Sequence, residues 1–201
     1  MIRIPNVVKK LIILNVIVFI IVSFSPELKG MLSLFFPTSP NFRVWQPLSH
    51  MFNHNDIGHI FFNMFGLYIF GSLLESVWGE GKFLRFYLFS GIGAFIMQWA
   101  FWYFTAGPNL NYVSMLGASG AISGCLMGVA VLAPNMQVML LFPPIPLKMK
   151  YLAIGYFCLD LFMGLGGGGN VANFAHIGGA LTGLAISFYW KSRGFLHRRG
   201  N

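Results

Sequence analysis

Charge is what this 201-residue sequence has least of. Asp, Glu, Lys and Arg make up only 9% of it, and just five residues are acidic, whereas an average soluble domain is about 25% charged. With 56% apolar and 17% aromatic residues, a soluble domain would carry contiguous apolar patches over its surface. A soluble fold is therefore excluded, and the bilayer becomes the natural solvent. At about 20 residues per spanning helix, the chain has room for several spans and short loops but not for a sizeable extramembrane domain. Cysteine is scarce too. Cys125 and Cys158 both fall inside apolar stretches, which points to small hydrophobes and not to a disulfide. No His-Glu-x-x-His string occurs, so a metalloprotease would lack its usual base. No cofactor and no internal repeat are expected.

What is present is six long apolar segments, at about 11–25, 57–78, 83–106, 113–133, 150–165 and 171–190, each bounded by charge, Pro, Asn or Gly. They are read as six transmembrane helices, making residues 1–201 a single all-α polytopic membrane domain. The first segment follows Lys9-Lys10, and no clear small-x-small cleavage site comes after it, only Ser23-Phe24-Ser25 before Pro26, so it is expected to stay as an anchor. The segment 26–56 is long and aromatic without being a span, and is expected to lie at the membrane interface. The prolines of 139–146 forbid a regular helix there, and Gly166 to Gly169 in succession predict a mobile cap.

The +8 charge suggests nucleic acid only until the basic residues are located. Arg3, Lys9, Lys10, Lys82, Arg85, Lys148, Lys150, Lys191, Arg193, Arg198 and Arg199 all fall on one side of an even-numbered bundle, and only Lys29 and Arg43 on the other. Basic residues collect on the cytoplasmic side of spans, so both termini are predicted to be cytoplasmic. The charge is a topology signal, and no nucleic-acid partner is expected.

Small residues recur every four positions in the fourth and sixth segments: Gly120, Gly124 and Gly128 in one, Ala175, Gly179, Gly183 and Ser187 in the other. Such stripes, with Gly117 just before the first, let backbones approach closely in lipid, where packing replaces the hydrophobic effect between helices. They predict that Ser119 and His176 meet. Each is expected five to six residues into its span, about 8 Å deep at 1.5 Å per residue. A hydroxyl beside a neutral imidazole is a candidate nucleophile and base. A serine bonded to its own helix and a satisfied core histidine are the bland alternative. His59 and Asn63 share one face of the second segment at spacing i, i+4. They enter at the same outer level, where two donors could hold an oxyanion or merely bond between helices. His50, His54, His59 and Asp56 also admit a zinc reading by spacing, which ranks below the others.

These residues resemble the rhomboid family of intramembrane serine proteases. The matching strings are His59-x-x-x-Asn63, Gly117-x-Ser119-Gly120 and Ala175-His176-x-x-Gly179-x-x-x-Gly183, in order along about Trp45 to Trp190. The resemblance implies a Ser119/His176 dyad without an aspartate, in a pocket open to the outer face. It also implies an oxyanion held by His59, Asn63 and the backbone N–H of Ser119. Substrates would be transmembrane segments of other proteins. So short a chain with compact loops is expected to be an integral protein of a bacterial inner membrane. The alternative is a proteolytically inactive relative that binds membrane proteins. Glu75 and Gln98 stand where members carry polar residues that stabilise the bundle. The chain departs from the family pattern at Gln46, where many members have Arg, and at Ser123, where some place an aromatic that stacks on the histidine. With Ser123 there, Asn173 or a water becomes the candidate to orient His176. Asp160 is expected to make a structural pairing.

Overall fold

The computed structural model describes residues 4–139, 144–166 and 173–194, and among them helix dominates. Helix α1 (Asn6–Ser23) begins at Asn6, earlier than the apolar run suggests, because its first amides have a partner from elsewhere in the chain. The N–H groups of Val7 and Val8 each donate to one oxygen of the Glu75 carboxylate, at 2.8 Å. The opening amides of a helix have no intrahelical acceptor, and an anion there also complements the helix dipole. This is the form taken by the stabilising role expected of Glu75.

The segment expected at the interface is a built substructure. Helix α2 (Pro26–Leu32) is capped by Ser25 Oγ, which accepts from Leu28 N–H at 3.2 Å. Strand β1 (Leu34–Phe35) and the short helix α3 (Gln46–Ser49) follow. Gln46, fully buried, ties this loop together. Its Nε2 donates to the Asn41 carbonyl at 2.8 Å, and its Oε1 accepts from Phe35 N–H at 3.2 Å. An amide supplies both a donor and an acceptor, which is what this uncharged position uses.

Helix α4 (Ile57–Gly66) continues through a π turn at Leu67–Gly71 into α5 (Ser72–Trp78), and α6 (Glu80–Thr105) follows. Two helical stretches, Asn6–Ser23 and Ile57–Trp78, are long and apolar enough to cross a membrane. Strand β2 (Ser114–Met115) pairs antiparallel with β1, Leu34 opposite Met115, so residues 113–118 are not helical as the hydropathy suggested. Helix α7 (Ser119–Leu132) starts only at Ser119. Strands β3 (Gln137–Met139) and β4 (Pro146–Lys148) form an antiparallel ribbon where prolines excluded a helix. Helices α8 (Met149–Leu165) and α9 (Asn173–Ser192) complete the chain. Gly166 closes α8, whereas the rest of the expected Gly-rich cap, like Arg3, Arg198 and Arg199, lies outside the described residues.

Helix α7 is the centre of the molecule, with eleven of its 14 residues buried. It packs on α9 through the small-residue stripes. A Cβ on Gly179 would collide with the carbonyl of Gly120, and one on Gly183 would meet Gly124 O and Cα, so backbone lies directly against backbone. The ends of the helices sort into two groups. The start of α1, the end of α5, the start of α6 and the end of α9 meet through Glu75 and through Trp78, whose ring lies 5.0 Å from that of Trp190 and 4.9 Å from that of Phe86. The starts of α4, α7 and α9 converge with the end of α8 at the opposite end.

Candidate active site

The site is set by the turn that begins α7. Gly117 has φ of +121°, a conformation that side-chain-bearing residues rarely adopt, and its N–H donates to the His50 carbonyl at 2.8 Å. The chain is thereby held off helix until Ser119, which becomes the first residue of α7 and not the fifth or sixth of a longer helix. Its own N–H and the two after it precede the first intrahelical bond, Ile122 N–H to Ala118 O at 3.0 Å, so they belong to the unpaired amides of a helix start.

His176, in the first turn of α9, faces Ser119. Its Nε2 lies 2.7 Å from Ser119 Oγ. Its Nδ1 lies 2.9 Å from Asp160 Oδ1, on α8. A carboxylate oxygen only accepts, so Nδ1 carries the proton and Nε2 accepts from the serine hydroxyl. Asn173 Nδ2 donates to the same Asp160 oxygen at 2.9 Å. Both Asp160 and His176 are buried. The start of α9 is steadied from α6, where Gln98 Oε1 accepts from Ala175 N–H at 3.0 Å. On α8, one turn before Asp160, the Tyr156 ring sits 6.3 Å from the imidazole, tilted by 34°. The sequence reading offered Asn173 or a water to orient His176. The side chain that reaches its ring nitrogen is Asp160, and Asn173 acts on it indirectly. The signal was visible in the sequence as an acid inside an apolar segment, which is expensive without a partner.

His59 and Asn63 line the same cavity as Ser119 and His176, a space of about 840 Å³ on its apolar side and about 730 Å³ on its polar side, both reaching Ser119. Asp56 caps α4 by accepting from His59 N–H at 2.8 Å. His59 Nδ1 accepts from Asn55 N–H at 3.4 Å, which leaves the ring proton on Nε2. The position a Cβ would take on Gly117 is 2.8 Å from that Nε2 and 3.7 Å from Ser119 Oγ, so the missing side chain leaves hydrogen-bonding room between them. Asn63 gives one N–H to the His59 carbonyl at 2.8 Å and keeps a second donor. The polar side is bounded by Gln98, Trp102 and Tyr156, the apolar side by Phe65, Ile69, Ile122, Leu126 and Leu152.

His50, His54 and His59 do not gather around a common point: among the described residues no three His, Cys, Asp or Glu side chains stand close enough to share a metal ion. His50 Nδ1 donates to the Gln46 carbonyl at 2.9 Å, and burial pushes its pKa down to about 4. His54, packed edge-on against His59 at 5.0 Å, is likewise lowered by burial to about 4. These two belong to the support behind the site.

Comparison with known proteins matches residues 41–193 to the Rhomboid domain. The chain is 34% identical over 161 residues to "Rhomboid protease AarA" of Providencia stuartii, an alignment covering 71% of this chain and 54% of that protein. It is 34% identical over 144 residues to "RHOMBOID-like protein 6, mitochondrial" of Arabidopsis thaliana, covering 72% of this chain and 43% of the other. A third relative, "Rhomboid protease GlpG" of Enterobacter sp. (strain 638), is 29% identical over 179 residues, covering 86% and 59%. The chain thus spans between two fifths and three fifths of the length of these relatives. A domain match over most of the sequence, together with these relatives, shows that the chain belongs to the rhomboid family, whose members are integral membrane proteins.

Proposed function

We propose that this protein is an intramembrane serine endopeptidase that cuts transmembrane segments of membrane-anchored proteins near the outer face. The observation that carries the reading is the 2.7 Å contact between Ser119 Oγ and His176 Nε2, at a point where an apolar groove meets a polar cavity. Several of the relatives are named proteases, which agrees with it.

His176 takes the Ser119 proton on Nε2 as Oγ attacks the peptide carbonyl carbon. The carbonyl oxygen becomes an oxyanion, held by His59 Nε2–H, the free Asn63 N–H and the backbone N–H of Ser119, groups aimed at where charge develops. The imidazolium then returns its proton to the leaving amine, and the C–N bond breaks to give an acyl-enzyme. Water, deprotonated by His176, releases the new carboxyl end and restores the serine. No metal or cofactor takes part.

In this reading α1, α4 with α5, α6, α7, α8 and α9 are six spans, and the basic ends are cytoplasmic. The 14 residues of α7 reach about 21 Å at 1.5 Å each, roughly 9 Å short of a hydrocarbon core of about 30 Å. Its start therefore lies below the outer surface, in a cavity where irregular backbone is tolerated because it is not lipid-exposed. An apolar helix fits the groove bounded by Phe65, Ile69 and Leu126. Its scissile bond must unwind to reach Ser119, so small or helix-breaking residues are expected there.

The test is a cleavage assay on a panel of membrane-anchored candidates, run beside labelling with a serine-directed fluorophosphonate. Wild type should cleave and label, and Ser119→Ala and His176→Ala should lose cleavage by at least about 10⁴-fold while remaining folded. Full cleavage by either variant sinks the mechanism. An inactive membrane-protein binder predicts no label on wild type.

A further inference from the structure

Resting on that reading, we propose that Asp160 is a positioning residue for the reaction: it fixes the tautomer of His176 and pairs with the charge the imidazole gains, so that the working unit is Ser119, His176 and Asp160.

The five acidic residues of the chain are Glu27, Asp56, Glu75, Glu80 and Asp160. The first four serve helix ends: Glu27 sits in the first turn of α2, Asp56 caps α4, Glu75 binds the first amides of α1, and Glu80 accepts from Asn6 Nδ2. Asp160 lies in the interior of an apolar helix, 7% exposed. A carboxylate in such surroundings needs compensation, and its partners are an amide and an imidazole, both from one turn of α9. If Asp160 served only to hold α8 against α9, any donor would suffice. The donor it has is the far nitrogen of the ring that bonds Ser119.

The consequence is chemical. With Nδ1–H given to Asp160, the lone pair of Nε2 faces the serine, as a general base requires. When Nε2 takes the serine proton, a positive ring lies 2.9 Å from the carboxylate, and both side chains are largely buried. That attraction exists in the transition state and not in the resting enzyme, so it should act on kcat more than on KM. Asn173 keeps the shared oxygen in place from the same helix face as His176. Tyr156, one turn from Asp160 on α8, lies against the imidazole. Helix α8 thus bounds the ring by a charge on one nitrogen and a neighbouring aromatic.

The experiment compares Asp160→Asn, Asp160→Ala and wild type in cleavage, fluorophosphonate labelling of Ser119 and thermal unfolding in detergent. Asparagine keeps the size and an acceptor oxygen but removes the charge. The expected result for Asp160→Asn is a kcat lowered by roughly 10²- to 10⁴-fold, KM changed by less than about threefold, slowed labelling and a wild-type unfolding midpoint. A helix-pinning carboxylate predicts the reverse: Asp160→Asn with wild-type kcat and labelling, and Asp160→Ala with only a lowered midpoint. That result overturns the inference and leaves the protease reading standing. Wild type that neither cleaves nor labels overturns both. Should Asp160→Asn fail to fold, Asn173→Ala leaves both charged partners in place and loosens one bond. Its kcat should then fall about 3- to 10-fold at constant KM, and an unchanged kcat overturns the proposal.

Discussion

The two ends of the bundle each bury a carboxylate, and they use it in opposite ways. At the end where α1 begins, Glu75 engages two backbone amides, one with each oxygen. Those partners neither titrate nor move, and the carboxylate is consumed in holding a helix start. At the other end, Asp160 offers one oxygen to two side chains, one of them the ring that touches Ser119. Burial is similar, 3% and 7% exposed, so burial alone does not separate a structural carboxylate from one proposed to serve chemistry. The kind of partner does. Backbone donors fix a position, whereas an imidazole passes the effect on to the atom it bonds next.

Substitutions should separate the ends by what they change. The largest effect expected is at the site end: His59→Ala or Asn63→Ala removes one proposed oxyanion donor, which typically lowers kcat by about 10²–10³-fold with folding kept. Loss of folding instead would make these residues part of the support. At the other end, Glu75→Ala leaves two buried amides without acceptors, at about 1–3 kcal/mol each. A lower unfolding midpoint is expected, with kcat of the surviving folded enzyme near wild type. A Glu75 variant that folds normally and loses turnover would erase the distinction between the two carboxylates.

The elements of this fold were legible where one physical signal dominated. Apolar runs located the helices, and glycines four apart announced the α7–α9 contact, because only a missing Cβ allows two backbones to touch. Motif and spacing also led to the expectation that Ser119 and His176 meet, and their side chains lie 2.7 Å apart. Where hydropathy and local geometry disagreed, geometry won: Val113, Met115 and Leu116 are as apolar as a span, yet β-pairing with Leu34 and the turn at Gly117 keep them out of α7. Asp160 was visible as a misplaced charge, but its partner was not, since His176 lies sixteen positions on, beyond the end of α8 at Leu165, where helical periodicity no longer applies. Tyr156 was hidden for the same reason. The aromatic neighbour of His176 comes from α8, not from the α7 position held by Ser123.

The smallest effect expected is a pH dependence confined to the site end, and it follows from His50. In the folded protein its pKa is lowered to about 4, chiefly by burial, against about 6.5 for an exposed histidine. Unfolding therefore takes up a proton between these values. The stability owed to the neutral buried ring is present above about pH 6.5 and declines as the pH falls towards 4, and from pH 7 to 5.5 the loss is about 1 kcal/mol. His50 also holds Gly117 through its carbonyl, so acid should loosen the turn before Ser119 ahead of the Glu75 contact with α1. Hydrogen exchange in detergent at pH 7 and 5.5 reads both places: the Gly117 amide should exchange faster at the lower pH, with Val7 and Val8 unchanged. His50→Gln, which retains an amide donor for the Gln46 carbonyl but does not titrate, should reduce the difference. If the slope survives that substitution unchanged, His54, lowered by burial in the same way, carries it instead of His50; if both ends loosen together, the two ends are not independent.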